Sequence, residues 1–256
     1  MRKVSEAFEN GKAFIAFITC GDPDLETTAE ILKTASENGV DLIELGIPFS
    51  DPTAEGPVIQ GANIRALENG ITTDDIFDMV QSIRDDIRVP MVFMTYANVV
   101  FSYGTERFCR KCAETGISGM ILPDVPYEEK DEFDSVCSKF GLDFISLIAP
   151  TSSDRIRMIA EDASGFIYCV SSLGVTGTRS EITTDIDAMV REVRAVTDTP
   201  CAIGFGISNA EQARLMAEKS DGAIIGSAII KLMEKHGRDC VPYIRDFIRE
   251  VSDAMH

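Results

Sequence analysis

Histidine is almost missing from this sequence. The two in the 256-residue chain, His236 and His256, both fall in the C-terminal helical region, which leaves no His-ligated metal and no histidine base. Lysine is absent where an imine-forming enzyme needs it: Lys12 and Lys139 precede apolar runs, the others lie in helical segments, and none ends a strand. Basic residues are few, 24 against 42 acidic, and at a net charge of −18 no Lys/Arg cluster offers a surface to a nucleic-acid backbone. The longest apolar runs fall far short of the ~20 residues a bilayer span requires. No G-x-G-x-x-G follows the first apolar run, where GDPD stands instead. The seven cysteines are an odd, scattered set and no secretory segment opens the chain, which points to reduced thiols and a cytoplasmic address. Cys109 and Cys112 form a CxxC without a second pair at zinc spacing, so they read as ordinary helix residues and no metal site is expected.

What is present is a regular alternation. Eight apolar, β-branched runs occur: AFIAFIT (13–19), DLIELG (41–46), VPMVFMTY (89–96), SGMILP (118–123), DFISLIAP (143–150), GFIYCVS (165–171), CAIGF (201–205) and GAIIG (222–226). Between them lie helical patterns such as LETTAEILKTASENG, with Ile31, Leu32 and Ala35 on one face and Gly39 at the end. Ser208 and Glu211 have the spacing of a capping box, and the last helix, over 237–254, carries Val241, Ile244, Phe247, Ile248 and Val251 on one face. Continuous apolar strands alternating with helices require a parallel sheet covered on both faces, and eight units in about 250 residues predict a (β/α)8 TIM barrel. A Rossmann-like sheet is the runner-up. With no repeat, low-complexity tract or linker, residues 1–256 read as a single barrel domain.

Barrel chemistry sits in the loops that follow the strands. Three glycine-bearing segments end the last three strands: GVTG (174–177), GFG (204–206) and GS (226–227), the last opening a helix. Backbone amides and a helix N-terminus can hold a phosphate there without a cation, which suits so acidic a chain; glycines that merely make turns are the alternative. The polar groups at strand ends are Asp22, Glu44, Glu55, Tyr96, Asp124 and Tyr168. Such a set supports proton transfer by paired carboxylates. Glu44, alone in an apolar strand, should have its pKa raised by burial, unless it is a structural acid bonded to backbone. Asp124 is expected to cap the helix that follows it. Tyr96 and Tyr168 are either site residues or core residues with satisfied hydroxyls.

IELGIPFSDPTAEGP, FITCGDP, MTYAN, LPDVP, LIAPTS, SLGVTG, IGFGIS and IIGSAIIK occur in this order, each at a strand end. On these motifs the chain resembles the tryptophan synthase α subunit family over essentially its whole length. The resemblance implies a TIM barrel that cleaves indole-3-glycerol phosphate to indole and glyceraldehyde 3-phosphate. It implies no cofactor in this subunit, and a β-subunit partner carrying pyridoxal phosphate in an αββα heterotetramer. By motif it assigns Glu44 as the catalytic glutamate and Gly177, Gly206, Gly226 and Ser227 as phosphate ligands. Phe17, Tyr168 and Phe205 fall around the indole and glycerol, and Thr176 on a loop that closes over the site. Glu44 is assigned to C3 and the adjacent hydroxyl, and Glu55 to the indole N–H. One departure stands out: the family's usual loop reads LADGP, and here Thr53 and Glu55 replace its leucine and aspartate. Either the loop backbone sits slightly further back to seat the longer side chain, or Glu55 rides on a long loop that substrate or partner must order. A non-catalytic subunit that only activates a partner, and a lyase or isomerase with another phosphorylated substrate, are the competing readings.

Overall fold

The computed structural model describes residues 2–170, 186–204 and 206–256. Nine strands form one parallel sheet: β1 (Ala13–Thr19), β2 (Leu42–Gly46), β3 (Met91–Met94), β4 (Gly119–Ile121), β5 (Asp143–Phe144), β6 (Ser146–Ile148), β7 (Ile167–Val170), β8 (Cys201–Gly204) and β9 (Gly222–Ile225). The strand order is β5-β4-β3-β2-β1-β9-β8-β7-β6. Its two ends, β5 and β6, are consecutive in the chain and separated only by Ile145, whose amide donates to Met120 O at 2.9 Å. The fifth expected strand is therefore two pieces: one pairs with β4, the other with β7, and the chain itself closes the barrel there. Every residue of β1 and β2 is buried, as strands covered on both faces must be.

The helices form the outer layer: α1 (Leu25–Glu37), α2 (Pro57–Glu68), α3 (Thr73–Ile83), α4 (Ala97–Tyr103), α5 (Thr105–Thr115), α6 (Asp131–Lys139), α7 (Ser153–Glu161), α8 (Ile186–Arg194), α9 (Ala210–Lys219), α10 (Ser227–His236) and α11 (Val241–Met255). Two of them, α2 and α3, fill the unusually long interval between β2 and β3. The closing helix α11 buries Ile244, Ile248, Val251 and Met255 and packs against α1 and α9, with Val241 and Phe247 half-buried at the edge. Gly39 ends α1's turn at φ +105°, and a Cβ there would lie 2.2 Å from Ser252 Oγ on α11, so both backbone angle and space require glycine. Cys109 and Cys112 are buried on α5.

Two caps differ from expectation. At α9 the N-cap is Asn209, which accepts from the Gln212 amide at 2.9 Å, while Gln212 Oε1 accepts from the Ser208 amide at 2.8 Å. The expected Ser208/Glu211 box does not form; Asn209 caps the helix and Gln212 reaches back to Ser208. Asp124 caps α4 instead of its own following segment: its carboxylate accepts from the Ala97 amide at 3.0 Å.

Candidate active site

Strand register sets the site. On β1, Phe17 is the Cα partner of Glu44 on β2, and Glu44 in turn is the partner of Val92 on β3. The Phe17 ring lies over Gly46, where a Cβ would come within 2.6 Å of Cζ, and beside Gly226, where a Cβ would come within 3.1 Å of Phe17 Cβ. Across the barrel the Tyr168 ring lies over Gly204 in the same manner, 2.5 Å from the position a Cβ would occupy. These glycines are space for aromatic rings, a role the sequence does not announce.

One pocket at the C-terminal end of the strands gathers Phe17, Glu55, Ile59, Met94, Tyr168, Gly206, Ile207, Ile224, Gly226 and Ser227. Three of the four assigned phosphate ligands, Gly206, Gly226 and Ser227, thus meet two of the assigned aromatic groups and one of the glutamates. Gly177, Thr176 and Phe205 lie outside the described residues. Gly226 is the N-cap residue of α10 and has no side chain to cap it, so the helix opens at the pocket wall with amides that can serve an anion. Gly206 has φ +83°, a conformation that favours glycine. Among the described residues no group of three or more His, Cys, Asp or Glu is placed to hold a metal.

Glu44 does not line this pocket. Its side chain is wholly buried, neither carboxylate oxygen has a hydrogen-bond partner, and burial pushes its pKa up to about 8. The backbone-bonded alternative is excluded by that isolation. Tyr168 is near enough to feel its charge, which with burial raises the tyrosine well above its usual value. Glu44 therefore sits just behind the wall made by Phe17 and Tyr168, protonated at neutral pH.

Glu55 stands at the end of the connection from β2 to α2. It immediately precedes Gly56, the N-cap of α2, and is only 6% exposed. Its carboxylate accepts from Asn63 Nδ2 at 2.6 Å, and its carbonyl accepts from Gln60 Nε2 at 2.7 Å. Burial raises its pKa to about 7, with Asn63 and Tyr96 pulling the other way. Tyr96 accepts from the Ala54 amide at 3.2 Å while its ring packs on Phe49 at 5.1 Å, so it is a structural support of the Glu55 turn. Asp22 leaves the list of proton-transfer candidates: buried at the end of β1, it takes a bidentate pair of bonds from Arg65 on α2, both 2.8 Å.

The two carboxylates and the uncapped helix end make a coherent electrostatic unit. A phosphate could not be held beside two ionised carboxylates in so acidic a chain, but a group with a pKa of about 8 and another of about 7 carry much less charge at neutral pH. Asn63 and Gln60, about one helical turn apart on α2, bond to Glu55 and were not singled out from the sequence, where no periodicity links them to it.

Residues 4–255 match the family model described as tryptophan synthase alpha chain. A tryptophan synthase alpha chain of Lacticaseibacillus casei is 46% identical over 255 residues, covering 100% of this chain and 96% of its own length. Among solved structures, Mycobacterium tuberculosis tryptophan synthase aligns with a TM-score of 0.90 at 31% identity, over 98% of this chain and 97% of that one. A tryptophan synthase complex from Pyrococcus furiosus aligns at 0.86 and 30% identity, over 94% and 98%. With its barrel, its strand-end motifs and these matches along its full length, the chain belongs to the tryptophan synthase alpha chain family.

Proposed function

We propose that Glu44 and Glu55 divide the proton transfers of the family's reaction between them. That reaction is the cleavage of indole-3-glycerol phosphate to indole and glyceraldehyde 3-phosphate, and this chain is its lyase in tryptophan biosynthesis. No cofactor takes part in this subunit; pyridoxal phosphate belongs to the β subunit, with which the α chain forms an αββα heterotetramer.

The reading rests on one observation above all: Glu44 is buried beside the pocket with both oxygens unbonded and a pKa of about 8. A protonated acid with no hydrogen bond to break can turn towards the pocket and donate. In the proposed cycle Glu44 delivers its proton to indole C3 as ionised Glu55 takes the ring N–H proton. Glu44, now a carboxylate, removes the proton of the side-chain hydroxyl. The C3–C bond breaks, its electron pair passes through the ring to nitrogen, and nitrogen recovers its proton from Glu55. Both groups return to their starting states, Glu44 protonated and Glu55 ionised, which is the order their pKa values favour. Phosphate binding is assigned to Gly206, Gly226, Ser227 and Gly177, and the indole and glycerol contacts to Phe17, Tyr168, Thr176 and Phe205.

Two coarser inferences go with it. Residues 1–256 act as one domain, supported by a single apolar cluster that runs from Val4 to Met255. No helix among the described residues is long and apolar enough to cross a membrane, and all seven cysteines are free and buried, which supports a cytoplasmic address. The test is indole release from indole-3-glycerol phosphate by the αβ complex. Glu44→Gln should lower kcat by about 10²–10⁴-fold, the usual worth of a positioned acid/base. Retention of activity within about tenfold of wild type would remove Glu44 from the assignment. Glu55, the residue that departs from the family, lies in the pocket wall, and the lyase reading takes it as part of the catalytic pair.

A further inference from the structure

We propose that Asn63, on α2, is a positioning residue for Glu55: its carboxamide fixes the place and the ionisation of the carboxylate that takes the indole proton. The inference rests on the reading of Glu55 just given.

Asn63 is an anomaly on its helix. The other buried residues of α2 are Ile59, Ala62 and Ala66, so Asn63 is a polar amide on an apolar face. Such a group is costly to bury unless bonded. Its donor goes to Glu55 Oε2 at 2.6 Å, eight residues back along the chain. One turn earlier, Gln60 holds the carbonyl of the same residue at 2.7 Å. Backbone and side chain of Glu55 are thus gripped by one rigid element.

That element is itself anchored. Arg65 makes two 2.8 Å bonds to buried Asp22 after β1, and Asn69 Nδ2 donates to Pro23 O at 2.6 Å. The position of the Asn63 amide is therefore referred to the barrel strand that carries Phe17. The chemistry of the donor matters as well. A cation at this place would hold Glu55 firmly ionised and repel its reprotonation, whereas a neutral amide favours the carboxylate without locking it. It also suits the longer acid: a glutamate carries its carboxylate about 1.5 Å further from the backbone than an aspartate, and Asn63 meets it there.

The titratable groups around Glu55 are few. Tyr96, from the end of β3, lies close enough to lower its pKa, and Asp124, from the end of β4, acts on Tyr96. Tyr168 on β7 shares the pocket wall and feels Glu44 on β2. Asn63 and Tyr96 lower the pKa of Glu55 against the burial that raises it to about 7. Glu55 must be ionised to accept the indole proton, so its pKa sets the acid limb of the rate profile, and Glu44, which must be protonated, sets the alkaline one.

The experiment measures kcat and KM for indole release from indole-3-glycerol phosphate, by the complex with the β subunit, across about pH 5.5 to 9.5. Asn63→Leu removes both donors at similar volume; Asn63→Ser keeps a weaker donor and stands in if the leucine variant fails to fold. The acid limb of kcat should move up by about one pH unit in Asn63→Leu, a roughly tenfold loss below the limb with near recovery above it. Asn63→Ser should shift it less, and KM should change little in both. A uniform loss at every pH, or an unmoved limb, overturns the assignment and leaves Asn63 as a packing residue. Glu55→Gln separates the two levels of the argument. If it abolishes the acid limb while the Asn63 variants leave the limb in place, only the role of Asn63 fails; if the limb survives in Glu55→Gln, the reading of Glu55 fails and the present one with it.

Discussion

Replacing Glu44 by glutamine should make the protein more stable while it destroys the chemistry, and the gain should grow with pH. The wild-type side chain is wholly buried with no partner for either oxygen. Burial raises its pKa from 4.5 in the unfolded chain to about 8 in the fold. Between those values the unfolded state releases a proton that the folded state retains, so stability falls as pH rises through the window and the loss is complete above the folded value. At pH 7, about 2.5 units above the unfolded pKa, the loss is roughly 3 kcal/mol at ~1.36 kcal/mol per unit. Glutamine is neutral throughout and close to the protonated acid in shape, so near pH 5 the two proteins should differ by less than about 1 kcal/mol. Near neutral pH the variant should melt roughly 6–12 °C higher, from the ~2–4 °C per kcal/mol of chains approaching this size. Scanning calorimetry or urea unfolding at about pH 5, 7 and 8.5 measures the slope directly. An amide can differ from a carboxyl in its own burial cost, which offsets all three values equally; the trend with pH is the diagnostic. A difference that is the same at all three pH values would show that Glu44 is partnered or already ionised in the fold.

Two further substitutions address the frame of the site. In Gly226→Ala the new Cβ would stand 3.1 Å from Phe17 Cβ and Cδ1, and the displacement of either the ring or the start of α10 should raise KM for indole-3-glycerol phosphate roughly tenfold, with a smaller effect on kcat; an unchanged KM would separate α10 from phosphate binding. Arg65→Ala leaves Asp22 charged and buried without its partner and should cost about 3–5 kcal/mol in urea unfolding, much of it restored by adding Asp22→Asn; a loss within about 1 kcal/mol would show that water reaches Asp22.

Much of the fold was legible because its signal is local. Fully buried parallel strands read as unbroken apolar runs, and all eight appear at their expected places. The break of the fifth strand at Ile145 was not legible, since DFISLI is continuous as a pattern and only its two neighbours divide it. Glu44 was conspicuous for a related reason: a single acid in LIELG violates the apolar run it interrupts. Asp22 and Asp124 follow strands just as regularly, yet their partners, Arg65 and the Ala97 amide, are 43 and 27 residues away and decide their roles. Asn63 gave no signal because an asparagine eight residues after a glutamate fits no helical or strand period.

The two glutamates exchange the characters their positions suggested. Glu44 stands on a rigid strand, where one expects a fixed group, but its carboxyl is bound to nothing. Glu55 belongs to a connecting segment, where one expects motion, but two side chains of α2 bond to it. The difference fits the roles proposed for them. In that proposal Glu44 serves two atoms in turn, C3 and the hydroxyl oxygen, and a side chain that must visit both cannot be tied to a donor. Glu55 would serve the ring nitrogen alone, taking and returning one proton, and would gain from being held where that nitrogen arrives. The longer arm of a glutamate at position 55 is bonded at both ends by α2, its carbonyl to Gln60 and its carboxylate to Asn63, which restricts the freedom that length would otherwise introduce.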